Sequence, residues 1–400
     1  MKNNCPVVVF NDFIAAYGAI RSLGPYDIPI YVVSRSGKGL ATKSRFVRHT
    51  LALMPNDPNF IRKLNVWLKK EVGEEAVLMV AGEDEYLDVL AKGCSDLSSG
   101  IRTTFPDWEI VKSVREKRRT YKIAEELGIP TPKTYYITCQ AELKNLLDKE
   151  IEGRFPLLMK SEDSARLLTK YKTKGIICNN HDEVFNNYKK YNGFFEKLLL
   201  QEMAPGGENL LFNFITVLNS DSEPISVFMN RKRRSSKQFL SCTLMESMWS
   251  DEVLAYSLKL LKKIGYTGYA NTEFKFDRRD GLLKFLEING RISMSNSHAL
   301  RCGINLPLLM YKEALEGPLP KQNKLIKTYP NNILWWYLKG DTLSAISLIK
   351  KKELSIKDYL KSIKGNGYII EPLNWNDLLP AIYSIKDYFS SKLNKIKRLI

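Results

Sequence analysis

Over the first hundred residues, continuous apolar runs alternate with stretches of helical period. PVVVF (6–10), IPIYVV (28–33) and AVLMVA (76–81) read as strands buried on both faces, as parallel strands are. Between them, AAYGAIRSLG and NFIRKLNVWLKKEVG space their apolar positions as helices do. Each run ends in polar or small residues: Asn11-Asp12, Ser34-Arg35-Ser36 and Gly82-Glu83-Asp84. Ligands of open α/β sheets bind beyond these carboxyl ends. Capping turns would use the same residues, and no GxGxxG marks a dinucleotide site.

The pattern changes near residue 111. VKSVREKRRTYKIAEELGIPTPKTY predicts one basic helix, stopped by Gly128 with Pro130 and Pro132 beyond it. FPLLMK (155–160) and GIICNN (175–180) read as strands, and LLLQEMAPGGENLLFNFITVLN (198–219) as strand, loop, strand. SDEVLAYSLKLLKKIGYTG is an amphipathic helix. YANTEFKFDRRDGLLKFLEINGR is a hairpin turning at Asp277–Gly281. The final stretch, 381–400, places Ile382, Ile385, Phe389, Leu393, Ile396 and Leu399 on one helical stripe, with Lys386, Lys392, Lys395, Lys397 and Arg398 elsewhere. It reads either as a helix packed on the core with a solvated basic face, or as a peripheral contact with anionic membrane. Trp335-Trp336-Tyr337 suits both.

Composition narrows the classes. A chain of 400 residues, 44% hydrophobic and 26% charged, suggests a globular protein of two or three domains. No run reaches the roughly 20 apolar residues of a membrane span, and the N-terminus reads as a strand rather than a signal peptide. Cys5, Cys94, Cys139, Cys178, Cys242 and Cys302 are scattered, as are His49, His181 and His298. Neither a zinc site nor a disulfide framework is expected, and a cytoplasmic setting is. The net charge is +17, and 321–400 alone carries 15 Lys and Arg against 6 Asp and Glu, a net of +9. Without a zinc finger or RNP signature, this favours a surface-docking tail over a nucleic-acid partner.

FLEINGR (285–291) carries the most specific chemistry. Every second side chain of a strand shares a face, so Glu287, Asn289 and Arg291 point one way and Leu286 and Ile288 the other. Such a row is either the solvated face of an edge strand or a metal–phosphate site. Glu273 on the preceding strand could pair with Glu287, and with Asn289 they offer Mg²⁺ three oxygen donors. Two carboxylates that close require a cation. Arg291 could then stabilise charge on a transferred phosphoryl group. Lys160 follows the apolar run Phe155–Met159, where an ammonium needs an anion. Lys117 is a weaker candidate cation within REKRR. Gln201, Glu202, Met203 and Ala204 could offer a strand edge and Met203 to adenine, and Glu208 could accept ribose hydroxyls.

Taken in order, Lys117, Lys160, Gln201–Glu208, Glu273 and Glu287-x-Asn289-x-Arg291 resemble the ATP-grasp superfamily over roughly 111–316. The resemblance implies an α/β (α+β) fold. A Rossmann-like parallel-sheet domain (1–110) would precede a small lobe (111–200) and a C-terminal lobe with the metal site (201–320). A basic, mainly helical appendage (321–400) would follow. By the same resemblance Lys117 and Lys160 bind phosphates, 201–204 hold adenine, Glu208 holds ribose, and Glu273, Glu287 and Asn289 hold Mg²⁺, with Mn²⁺ as a substitute.

Within the superfamily RSLGPYDIPIYVVS, NRKRR (230–234) and RCGINLPLLMYKEALEG (301–317) look most like D-aspartate ligase and similar carboxylate–amine ligases. That implies Arg231, Lys232 and Arg291 at the γ-phosphate or the activated carboxylate. Arg231–Arg234 could equally be a solvated basic loop, and His298 either a base for the amine or a core histidine. Departures stand out too: Ser161-Glu-Asp-Ser-Ala-Arg166 is no glycine-rich lid, and Ser161 and Gly290 stand where proline is frequent. The expected activity is an ATP-dependent ligase that joins a carboxylate to an amine through an acyl phosphate. It would serve cell-envelope or secondary biosynthesis, with a homodimer and peripheral contact at the inner membrane face as further expectations. The alternatives are an ATP-grasp ligase of a small-molecule pathway and a non-catalytic ATP-binding scaffold.

Overall fold

A computed structural model describes residues 4–149, 151, 154–161, 173, 175–191, 198–236, 241–322 and 325–397, with backbone alone at 149 and 391–397. Three sheets organise these residues. β1 (Val7–Phe10), β2 (Ile30–Ser34), β3 (Val47–Ala52), β4 (Ala76–Val80) and β5 (Ile101–Thr103) form a parallel sheet in the order β3-β2-β1-β4-β5. β1, β2 and β4 are buried along their whole length, which is why they appear as unbroken apolar runs.

β6 (Thr134–Ile137), β7 (Leu157–Ser161), β8 (Ile176–Cys178) and β9 (Leu198–Glu202) form an antiparallel sheet in the order β6-β9-β7-β8. Leu157 and Met159 of β7 and Leu198 and Leu200 of β9 pack on the helices Gln140–Lys149 and His181–Lys190. Strand alternation therefore sends Leu158, Lys160 and Gln201 to the opposite face.

β10 (Leu211–Leu218), β11 (Pro224–Ser235), β12 (Cys242–Ser247), β13 (Gly268–Asp277), β14 (Leu282–Asn289), β15 (Ile333–Tyr337) and β16 (Gly367–Glu371) make the largest sheet, ordered β14-β13-β10-β11-β12-β15-β16. All its pairings are antiparallel except β15 with β16. The fold is mixed α/β, as the sequence pattern predicts. The C-terminal stretch is more than a helical appendage, because β15 and β16 complete this sheet and Trp335 of β15 is wholly buried. One apolar cluster joins Val7 and Val9 of β1, Ile215 of β10, Trp335 and Ile369, so the parallel sheet, the large sheet and the tail share a core.

Two local departures shape the site. The predicted single basic helix is two helices, Trp108–Arg115 and Lys117–Glu126. Glu116 between them is extended (φ −80°, ψ 97°) and its carbonyl accepts from Arg119 N and Thr120 N. Lys117 thereby opens a new helix. On β14 the register slips between Glu273↔Glu287 and Phe274↔Phe285, leaving Leu286 as a bulge. The bulge breaks the simple alternation expected for FLEINGR: Phe285 and Ile288 both enter the core beneath the sheet. The hydroxyl of Tyr121 donates to the Leu286 carbonyl at 2.9 Å and pins the bulge to the second helix.

Just past β14, Ile292 bridges to Ala81 beyond β4, with Ile292 N donating to Val80 O (3.0 Å) and Gly82 N to Ile292 O (2.9 Å). Arg291 is thus carried to the carboxyl edge of the parallel sheet. Among the described residues no helix is long and apolar enough to cross a membrane.

Candidate active site

A cavity of about 310 Å³ opens between the small sheet, the large sheet and the start of the helix Asp84–Lys92. Lys117, Lys160, Gln201, Glu202, Met203, Ala204, Lys232, Glu273, Glu287, Asn289 and Arg291 all line it. Residues from six separate segments of the sequence, predicted one by one, therefore meet in a single cleft. Glu208 and Arg231 are not among its lining residues.

The acidic end is built by the hairpin. Glu273 and Glu287 are direct cross-strand partners, and so are Asn271 and Asn289. Asn289 Nδ2 donates to Glu273 Oε1 at 3.1 Å, and Lys117 Nζ lies 3.7 Å from Glu287 Oε2. The break at Glu116 is what aims Lys117 at this pair. Two carboxylates and an amide oxygen on facing strands form a hard-oxygen donor set of the kind that binds Mg²⁺. Arg291 is held from two sides: its Nη2 donates to Asn289 Oδ1 (3.3 Å), and its Nε lies 3.3 Å from Asp84 Oδ1. Asp84 also pairs with Arg115.

The basic end comes from the small sheet and β11. Lys160 Nζ donates to Gln201 Oε1 at 3.1 Å, while Gln201 Nε2 donates to Tyr121 OH (2.9 Å) and Thr134 Oγ1 (2.8 Å). Gln201, 3% exposed, is thus fully engaged as a buried amide must be. The Glu202 carboxylate is tied to Arg154 (2.6 Å), and its backbone N–H donates to Lys133 O (3.0 Å). Half-buried Lys232 projects into the cavity, where burial disfavours its charge. The carboxylates of Glu273, Glu208 and Glu287 outweigh that cost and raise its pKa. Glu208 opens a short 3₁₀ turn, Glu208–Leu210, close enough to act electrostatically on Lys232 and Lys275.

The arginines of NRKRR are neither a solvated loop nor cavity ligands, because they belong to β11. Arg231 Nε donates to Glu246 Oε1 at 2.7 Å, and Arg233 reaches the other oxygen of the same carboxylate. Burial alone would raise the Glu246 pKa, but Arg233 and Arg231 bring it below the usual range. Arg234 forms a bidentate pair with Asp341 (2.6 and 2.9 Å). His298 is wholly buried and lies outside the cavity lining. Its Nε2 bonds the Ile333 carbonyl at 2.9 Å, so that nitrogen carries the proton, and burial lowers its pKa to about 4. It is the core histidine of the two readings. The stretch 162–166, read as an atypical lid, lies outside the described residues.

Sequence reasoning missed Asn271, Lys275 and Arg115 and took Asp84 only as one of the polar strand ends; all four line the cavity. The first two were findable: Asn271, Glu273 and Lys275 alternate on one face of β13. Burial lowers the Lys275 pKa, and its Nζ donates to Gly206 O at 3.2 Å. Asp84 and Arg115 required knowledge of the Ala81–Ile292 bridge.

Residues 213–322 match the family described as the ATP-binding domain of the carbamoyl-phosphate synthase L chain. The chain superposes on the biotin carboxylase domain of Hydrogenobacter thermophilus 2-oxoglutarate carboxylase, a dimer solved with MgADP and bicarbonate. The TM-score is 0.64 at 18% identity, covering 82% of this chain and 73% of that one. The fold is ATP-grasp. A Bacillus licheniformis L-amino acid ligase shares it, with TM-score 0.59, 16% identity and coverage of 80% and 76%. In sequence, the chain is 22% identical to a D-aspartate ligase of Enterococcus faecium (strain Aus0004) over 262 residues, 62% of each chain. It therefore spans less than two thirds of that relative's length.

Proposed function

We propose that the protein is an ATP-dependent ligase that activates a carboxylate as an acyl phosphate and joins it to an amine, releasing ADP and phosphate. The observation that carries this reading is the cross-strand pair Glu273–Glu287, in one cavity with Lys117, Lys160, Lys232 and Arg291. A nucleotide site without chemistry has no need for two opposed carboxylates and four cations around one cleft. Gln201–Ala204 and Lys160 suit adenine and phosphate, and Glu208, outside the cavity lining but within electrostatic reach of Lys232, is the candidate for the ribose. The D-aspartate and L-amino acid ligases supply the reaction class, and the MgADP complex of the Hydrogenobacter domain supplies the ligand pair.

Glu273, Glu287 and Asn289 would hold Mg²⁺, which when bound spreads the charge of the phosphates. Lys160 and Lys117 then position the phosphate chain. Lys232 and Arg291 receive the negative charge that develops as a substrate carboxylate oxygen bonds to the γ-phosphorus and ADP departs. Attack of the amine nitrogen on the acyl carbon breaks the bond to phosphate, and the amine loses a proton. A homodimer belongs to this proposal, since the Hydrogenobacter domain is one, and sedimentation equilibrium tests it.

The decisive assay is ADP release with MgATP against amino acids of both hands and small dicarboxylates, with and without an amine. Release that needs one carboxylate and disappears in Glu287→Ala supports the ligase. Tight ATP binding with no carboxylate-dependent release across the panel, acceptor amines included, removes it.

A further inference from the structure

We propose that the terminal helix docks this protein on an anionic lipid surface, a property independent of the ligase reading. The helix Leu379–Lys397 leaves the apolar stripe exposed as far as its described side chains run, to residue 390. Ile382, Ile385 and Phe389, spaced three and four apart, are 43%, 60% and 60% exposed, and Leu378 just ahead of the helix is 40% exposed. Pro380 and Ser384 are the buried positions and Tyr383 is half-buried against the core, so the helix rests on its other side. The Lys43 ammonium, 5.5 Å from the centre of the Tyr383 ring, and Lys339, 3.5 Å from Asp387, help hold it there. A second signal lies at the foot of the stripe, where Trp375 is 81% exposed. Isolated exposed apolar residues are ordinary, whereas three in one helical row, with an exposed indole and leucine just ahead of them in the chain, mark a contact surface.

Charge identifies the occupant. Residues 321–400 hold six acids, and three of them are buried: Asp341 and Glu371 at 0% exposure and Asp377 at 3%. Of the others, Asp387 is engaged by Lys339. Lys386, beside Ile385 on the helix, is exposed. The helix Leu379–Lys397 itself carries Lys386, Lys392, Lys395 and Lys397 against one acid, Asp387, so its net charge is positive. Two copies meeting here would oppose two positive faces. A nucleic acid would engage the lysines but has no use for an Ile-Ile-Phe row. An anionic bilayer surface satisfies both: apolar side chains and the indole enter the headgroup boundary while lysines meet lipid phosphates.

The test mixes the full chain with phosphatidylcholine vesicles, with and without phosphatidylglycerol, and measures co-sedimentation at low and physiological salt. Binding should require phosphatidylglycerol and weaken with salt. The double variant Ile385→Glu, Phe389→Glu should bind at least about tenfold more weakly, since burial of either side chain alone is worth about that factor. Its melting temperature and ADP affinity should be those of the parent, and Trp375→Ala should weaken binding with no new charge introduced. Four results overturn the proposal: no binding by the parent chain, equal binding by the double variant, retention on heparin without vesicle binding, or self-association of the parent that the double variant abolishes.

Discussion

Glu273 and Glu287 face each other across two adjacent antiparallel strands, and the Lys117 ammonium sits 3.7 Å from the second of them. Like charges directly opposite on a sheet destabilise it unless a cation is shared. One ammonium offsets part of that repulsion, and a divalent cation would offset the rest. Mg²⁺ with ADP should therefore raise the melting temperature of the parent protein. Glu287→Gln should melt no lower than the parent without metal, gain nothing from Mg²⁺, and release ADP slower by on the order of a hundredfold. Differential scanning fluorimetry with and without metal, run beside the ADP assay, reads all three. A metal-dependent shift retained in Glu287→Gln would place the cation elsewhere.

Lys160 depends on Gln201, and Gln201 on Tyr121 and Thr134. Gln201→Leu keeps the volume but removes the partner of three buried or half-buried polar groups. It should cost about 1–3 kcal/mol in urea unfolding. Lys160→Met leaves Gln201 its other two partners, so it should fold nearly as well while binding ADP about tenfold more weakly or worse. Isothermal titration separates the two: a loss of stability with intact affinity in Lys160→Met would contradict the assignment.

Much of this arrangement was legible in the chain because it is local. The turn Asp277–Gly281 is marked by its own residues: Gly281 takes φ 71° and its N–H bonds the Asp277 carbonyl at 2.9 Å. The helix Asp251–Ile264 is announced by Ser250, whose hydroxyl caps Val253 N, and by left-handed Gly265. The turn and strand period bring Glu273 to within one residue of Glu287, and the bulge at Leu286, which the sequence does not mark, sets the two directly opposite.

What stayed hidden depends on residues far apart in sequence. Nothing in REKRR signals that Glu116 is extended, because the second helix is fixed by Tyr121 reaching Leu286, 165 positions later. Arg231, Arg233 and Arg234 look like a charge run until β12 and the tail supply Glu246 and Asp341. β15 and β16 are strands by virtue of their neighbours in the sheet. The stripe of the terminal helix shows its period in the sequence but not which side of the helix the core takes.

Asp341 ties the tail to β11. It is wholly buried and accepts from Arg234 Nε (2.6 Å) and Nη2 (2.9 Å), Thr243 Oγ1 (2.9 Å) and Trp336 Nε1 (2.9 Å). Removing it strands a buried guanidinium. Asp341→Ala should lose about 3–5 kcal/mol in urea unfolding. The pair Arg234→Met with Asp341→Leu should recover much of that loss, because no charge is then left alone. A double variant no better than Asp341→Ala would mean that the hydroxyl and indole bonds, rather than the ion pair, hold the tail.

His298 should make stability depend on mildly acid pH. Burial lowers its pKa from 6.5 to about 4, so the unfolded chain binds a proton that the folded one refuses. Stability from this residue is complete above pH 6.5 and drains away as pH falls toward 4, by about 3 kcal/mol in all at 1.36 kcal/mol per unit. Glu246 and Asp277, both held low by arginines, add losses of the same sign as pH falls. Buried Glu371, whose pKa is raised, works in the opposite sense. The comparison must therefore be between the parent and His298→Asn across pH 7.5 to 4.5. The variant starts less stable, since the bond to the Ile333 carbonyl is lost, but its urea midpoint should fall less steeply below pH 6.5. Parallel slopes would mean that the imidazole protonates in place, with water reaching a ring the fold encloses.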